Sequence, residues 1–265
     1  MNIISQTLKK QDSTRALIPF ITAGYPTLQT TINTLYMLDN KGADIIELGI
    51  PYSDALADGP TIQQASKIAI GQGVHIEEII GMLSEVMPNI NTPIVIFTYY
   101  NPILAFGIKP FINQISNIGV QGLVIPDLPL EEMDYVIQVC SSYNIELILF
   151  VAPTSSKTRV ASILSKSPGC IYLVSSNGVT GMEQQVDKQI SELANIIKRT
   201  TNKSIMLGFG IASIDQAYNV SKLNIDGVVV GSAFIKKMSS NTINHAVTEV
   251  GIFCQQLKSA INRYK

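Results

Sequence analysis

Short apolar runs rich in β-branched residues recur along the chain at roughly the spacing of one strand-plus-helix unit: 16–22, 44–49, 93–99, 122–126, 145–151, 170–175, 204–209 and 226–230. Runs of this length that are apolar on both faces predict buried strands of a parallel sheet. Between them, segments such as 30–41, 76–87, 130–143, 157–165 and 187–200 space their apolar residues as helices do. Eight strands alternating with helices, without charge runs, linkers or low-complexity sequence, predict an α/β protein. The expected fold is a single (β/α)8 TIM barrel over 1–265, one catalytic domain, rather than a doubly wound sheet. Residues 1–10 read as an extra N-terminal helix closing the barrel bottom, and 241–265 as the final helix.

Composition narrows the function classes. A chain of 265 residues can bury a large core. Its net charge of −1 and pI near 6.1 give no electrostatic reason to expect nucleic acid or an acidic membrane as partner, so a small-molecule substrate is the natural expectation. Mean hydropathy is +0.25, yet Pro, Gly or a charge interrupts every apolar run before the roughly 18 residues that a membrane span needs. Cys140, Cys170 and Cys254 are scattered without a Cys-x-x-Cys pair, which argues for free thiols in a reducing compartment. With His75 and His245 far apart and alone, neither a metal site nor a Ser–His pair is expected. The first ten residues resemble neither a signal core nor a long transit peptide, and read as a cytoplasmic start, or a plastid stroma protein if organelle-encoded.

A barrel of parallel strands directs its chemistry to the loops at the strands' C-terminal ends. Glu47 sits inside an apolar strand there, and Pro51, Gly59 and Pro60 break the following chain into a loop carrying Asp54 and Asp58. Apolar surroundings raise a carboxyl's pKa, so Glu47 is suited to donating a proton at neutral pH while Asp58, in a loop, has a different setting. The residue types alone leave a second reading open: a solvated strand-end charge and loop aspartates that bond their own backbone. Near the end of the chain, Gly208-Phe209-Gly210 and Gly231-Ser232-Ala233 follow the seventh and eighth strands, where barrels often bind phosphate. Neither loop holds Lys or Arg, so the grip would come from neutral N–H groups, each worth about 1.5–3 kcal/mol to a charged acceptor. Tight corner turns would use the same glycines. Gly178-Val179-Thr180-Gly181 reads either as a lid with glycine hinges or as a solvated loop.

The run Glu47-Leu48-Gly49-Ile50-Pro51-Tyr52-Ser53-Asp54, with Leu56-Ala57-Asp58-Gly59-Pro60-Thr61-Ile62-Gln63 after it, closely resembles the signature of the tryptophan synthase α subunit family. Similarity extends from Pro19-Phe20-Ile21-Thr22-Ala23-Gly24 through Gly231-Ser232-Ala233. The resemblance implies retro-aldol cleavage of indole-3-glycerol phosphate to indole and glyceraldehyde 3-phosphate, without metal or coenzyme. It implies Glu47 and Asp58 as the catalytic acids, and Phe20, Tyr99, Val124 and Tyr172 as the indole-facing wall and its support. Gly181, Gly208, Phe209, Gly210, Gly231 and Ser232 match the phosphate loops, and Thr180 the lid threonine. It further implies a pyridoxal-phosphate β subunit as partner in an α2β2 tetramer, contacted through 51–60 and 100–102. Ala55 stands where many relatives have proline, Ser176 where many bacterial members have arginine, and Asn177 is unusual before its glycine. These departures bear on loop closure rather than on either acid. Two other readings remain: another phosphate-binding barrel enzyme, an isomerase or aldolase, and a non-catalytic docking subunit. A Schiff-base aldolase would need a lysine at a strand end, whereas Lys67, Lys109 and Lys157 fall in probable helices or their flanks.

Overall fold

The computed structural model describes residues 2–10, 14–174, 183–208, 210–239 and 242–262. Eight strands form a closed barrel in which each pairs in parallel with its sequence neighbours and the last returns to the first. They are β1 (Ala16–Thr22), β2 (Ile46–Gly49), β3 (Ile94–Phe97), β4 (Gly122–Val124), β5 (Glu146–Val151), β6 (Ile171–Val174), β7 (Ile205–Gly208) and β8 (Gly227–Val230). All eight expected strands are present, several shorter than the apolar runs that announced them. The run 44–49 loses its first two residues and the run 93–99 is trimmed at both ends, leaving four residues each; beyond Phe97 burial continues through Thr98 and Tyr99 into the loop that follows.

Helices intervene between strands throughout, as the fold requires. The segment between β3 and β4 contains two helices, Tyr100–Phe106 and Ile108–Asn117, separated by Gly107 at φ 96°. That positive φ is one glycine adopts without strain, which lets the chain turn between two helices with no linker. Lys67, Lys109 and Lys157 lie within helices.

The helix Ile3–Lys9 does close the bottom. Ile4 and Leu8 are buried there, and a Cβ on Gly227 would stand 2.8 Å from the Leu8 side chain, so β8 has no side chain where the plug enters. Glu146, the first residue of β5, fastens it: its Oε2 accepts from Ser5 N at 3.0 Å, its Oε1 from Cys170 N at 2.9 Å, and the Ser5 hydroxyl donates to the same carboxylate. A comparable device recurs around the lower rim. Asp44 Oδ2 accepts from Leu17 N at 2.7 Å, Gln121 Oε1 from Ile94 N at 2.8 Å and Asp226 Oδ2 from Ile205 N at 2.7 Å. Each of these three side chains stands just before the start of one strand and accepts from the beginning of the strand before it, which helps to fix the register at the end away from the loops.

Candidate active site

At the opposite end the loops surround a cavity of about 770 Å³ whose lining is mainly apolar. Its aromatic residues come from β1, β3, β5 and β6. Phe20 meets Phe97 edge-on at 5.6 Å between centroids, Phe97 meets Phe150 at 6.5 Å, and Phe150 lies against Tyr172 at 4.6 Å. Phe97 and Phe150 were not picked out from the sequence. The signal was available: in an eight-stranded barrel alternate strands supply one interior layer, and Phe20, Phe97 and Phe150 stand on β1, β3 and β5.

Glu47 is on β2, opposite Phe20 in the ladder, and is fully buried. The Tyr172 hydroxyl donates to its Oε2 at 3.4 Å, while Oε1 has no partner among the described residues. Removal from water pushes this carboxyl from its ordinary value near 4.5 up to about 8; the Tyr172 hydrogen bond opposes the rise and the nearby charge of Asp58 adds to it. A buried carboxyl with an idle oxygen is costly to ionise, so Glu47 is held protonated at neutral pH. The contrast with Glu146 is instructive, because both are strand glutamates buried inside the barrel, yet Glu146 is bonded on both oxygens.

Asp58 lies in the loop after β2 and lines the cavity. The Tyr99 hydroxyl donates to its Oδ2 at 3.0 Å and accepts from Ala57 N at 3.0 Å. Burial raises Asp58 to about 6, less the lowering effect of Tyr99. Asp54, the other acid of this loop, is exposed and bonded to the Ser53 hydroxyl, away from the paired acids.

Of the other anticipated residues, Phe20, Tyr172, Gly210, Gly231 and Ser232 line the cavity with Asp58. Tyr99 and Val124 are buried behind the wall rather than among the lining residues. Gly208 also stands behind it: a Cβ there would be 2.3 Å from the Tyr172 hydroxyl, so the glycine makes room for the ring that bonds Glu47. Gly231 opens the helix Ser232–Met238, whose first amides lie at the cavity edge. Among the described residues the cavity lining contains neither Lys nor Arg. Thr180, Gly181 and Phe209, with the rest of 175–182, lie outside the described residues. No group of His, Cys, Asp and Glu suited to a metal ion occurs among the described residues.

The sequence pattern of the family described as "Tryptophan synthase alpha chain" matches residues 6–262. The chain belongs to this family. It is 56% identical over 262 residues to the tryptophan synthase alpha chain of Gracilaria tenuistipitata var. liui, covering 99% of this chain and 98% of that one. To the tryptophan synthase alpha chain of Pyropia yezoensis it is 53% identical over 261 residues, covering 98% and 99%. Its coordinates superpose on tryptophan synthase subunit alpha from Legionella pneumophila str. Paris with a TM-score of 0.88 at 30% identity, covering 98% of each chain. A mutant tryptophan synthase alpha-subunit from Pyrococcus furiosus superposes with a TM-score of 0.84 at 32% identity, over 92% of this chain and 98% of that one. The tryptophan synthase alpha barrel is therefore the frame in which the two raised carboxyl groups are to be understood.

Proposed function

We propose that this tryptophan synthase alpha chain cleaves indole-3-glycerol phosphate to indole and glyceraldehyde 3-phosphate as a carbon–carbon lyase of tryptophan biosynthesis, with Glu47 and Asp58 as its catalytic residues. The observation that carries the site assignment is the pair itself: Asp58 on the lining of one apolar cavity and Glu47 buried behind it against the lining residues Phe20 and Tyr172, raised by burial to about 6 and about 8. Between those values Glu47 holds its proton and Asp58 has lost its own.

The chemistry needs that combination. Protonation of the indole ring carbon that bears the glycerol chain turns the ring into an electron sink, and protonated Glu47 supplies that proton. The Glu47 carboxylate so formed takes the proton from the substrate hydroxyl; the new carbonyl forms as the carbon–carbon bond breaks, and the bonding pair returns to the ring. Glu47 ends as it began. Positive charge that develops on the ring nitrogen is met by ionised Asp58, an acceptor already in place and partly screened from water. Proton transfer of this kind contributes about 10²–10⁴-fold, so holding the substrate must contribute much of the rest. Phe20, Phe97, Phe150 and Tyr172 offer an aromatic wall for the indole, with Tyr99 and Val124 as its backing.

The phosphate is assigned to Gly210, Gly231 and Ser232 at the cavity edge, with Gly208 shaping the wall and Gly181 and Phe209 completing the loops. Thr180 is assigned to the lid. Residues 1–265 then act as one catalytic domain, and every proton step uses this chain's own groups. Indole is apolar enough to escape, so a tryptophan synthase β subunit, in an α2β2 tetramer, is the proposed receiver. Leu56 is 91% exposed beside Asp58, and Leu104 is half exposed on the next loop's helix, which supports these loops as the docking surface. Red algal relatives favour a plastid location. No described helix is long and apolar enough to cross a membrane. The alternative of a Schiff-base aldolase is disfavoured by the absence of lysine from the cavity lining among the described residues, and borohydride trapping of a lysine would revive it.

The direct test is release of indole from indole-3-glycerol phosphate by the chain together with a β subunit. Glu47→Gln and Asp58→Asn, each shown to be folded, should lose turnover by at least about 10²-fold. Full turnover in either would reject its assigned role. A docking-only subunit would leave all three chains equally silent.

A further inference from the structure

We infer that Tyr99 is a positioning residue for Asp58, holding the carboxylate in place through its hydroxyl rather than serving as part of the substrate wall. This rests on the lyase reading above. Tyr99 is buried and is not among the residues that line the cavity. Its hydroxyl instead bridges two points of the loop after β2, at 3.0 Å from Ala57 N and 3.0 Å from Asp58 Oδ2.

The direction of both bonds is fixed by inventory. A backbone N–H only donates, so the Ala57 amide occupies an acceptor site of the hydroxyl. The single phenolic hydrogen is then free for Asp58, where it is a donor to the charged form. Oδ1 is left to receive the ring N–H of the substrate. The hydroxyl is itself held from two sides, since the Tyr99 ring lies 5.3 Å from that of Tyr52 and meets Phe97 edge-on at 6.1 Å. The chain on its far side is anchored as well, Tyr100 N donating to Asp127 Oδ1 at 2.8 Å. The position of Asp58 is thereby set by three successive loops, those after β2, β3 and β4.

The groups that could compete for this role are few. Glu47 on β2 and Tyr172 on β6 both sense the Asp58 charge, and Tyr99 also senses Asp127 from the loop after β4. None of them is a cation, and the Tyr99 hydrogen bond favours the ionised form of Asp58.

The test is the pH profile of kcat/KM for indole release by the chain with its β subunit, compared with Tyr99→Phe. That change keeps the ring, its packing and its volume, and a thermal melt checks the fold. The acid limb should move to higher pH while the alkaline limb stays, so that the loss is on the order of tenfold near the acid limb and shrinks as pH rises. A second variant, 3-fluorotyrosine in place of Tyr99, strengthens the donor without altering the packing and should move the acid limb the other way. A loss equal at all pH values, or an unmoved acid limb in the fluorinated protein, would overturn the inference. Asp58→Asn, measured in parallel, separates the two levels: if it keeps full turnover the lyase reading of Asp58 itself is lost, whereas an inactive Asp58→Asn beside unmoved Tyr99 variants removes only the positioning role.

Discussion

The Tyr172 hydroxyl donates to Glu47 Oε2 at 3.4 Å, a long bond, and the other Glu47 oxygen is buried with no partner among the described residues. A carboxyl left this poorly solvated in the fold destabilises the protein whenever it ionises. The arrangement resembles that of an acid kept ready to react rather than one contributing to stability.

Stability should therefore depend on pH in a way that Glu47→Gln removes. Below about 4.5 Glu47 carries its proton in both folded and unfolded chains, and its contribution is constant. From there to about 8 the unfolded chain gives up a proton that the folded chain keeps, so stability falls as pH rises, on the order of 3 kcal/mol by pH 7. Asp58 adds a fall in the same sense between 3.8 and about 6. Denaturant titrations at pH 5, 6, 7 and 8 should show Glu47→Gln with a flatter dependence, most clearly above pH 6. An unchanged slope would mean that Glu47 is not the group held protonated.

Catalysis should peak between the two apparent values. With one group needed protonated and the other ionised, kcat/KM for indole release should trace a bell with limbs near 6 and 8, belonging to the pair rather than to either acid alone. Steady-state rates across pH 5–9 measure it, and an alkaline limb absent up to pH 9 would contradict the role given to Glu47.

Gly208→Ala should act on Tyr172. The new methyl would stand 2.3 Å from the Tyr172 hydroxyl and 2.6 Å from a ring carbon, distances that force the ring or the strand to move. A stability loss of about 1–3 kcal/mol is expected from overpacking, with a larger fall in kcat as Glu47 loses the Tyr172 donor. If the loss were instead confined to KM, with kcat preserved, Gly208 would belong to substrate holding and not to the seating of Tyr172.

Glu146→Ala should separate stability from chemistry. It strips acceptors from buried Ser5 and Cys170 amides at the end of the barrel away from the cavity, at a cost of about 3 kcal/mol. Hydrogen exchange should quicken in Ile3–Lys9, while kcat at a temperature where the variant remains folded stays near that of the unchanged protein. A large drop in kcat there would mean that the plug helix reaches the active site through β5 or β6.

Much of this protein is written along its chain. Short apolar runs at regular spacing determine eight parallel strands, since a strand covered by helices on one face and by the barrel core on the other must be apolar on both. The run from Glu47 to Gln63 identifies the family, and the isolation of one charge in an apolar strand already marks Glu47 as costly to ionise. Position along the run separates Glu47, in the second half of 44–49, from Glu146, second residue of 145–151, but local pattern could not say how either carboxyl is solvated. Only the assembled barrel gives three donors to the oxygens of Glu146 and leaves an oxygen of Glu47 bare. It also decides that Phe97 and Phe150 join the cavity wall, that Tyr99 stands behind it bonded to Asp58, and that Gly208 exists to clear space for Tyr172. Those are relations between residues far apart in sequence, set by which side chains the closure of the barrel brings within bonding distance, and no periodicity along the chain records them.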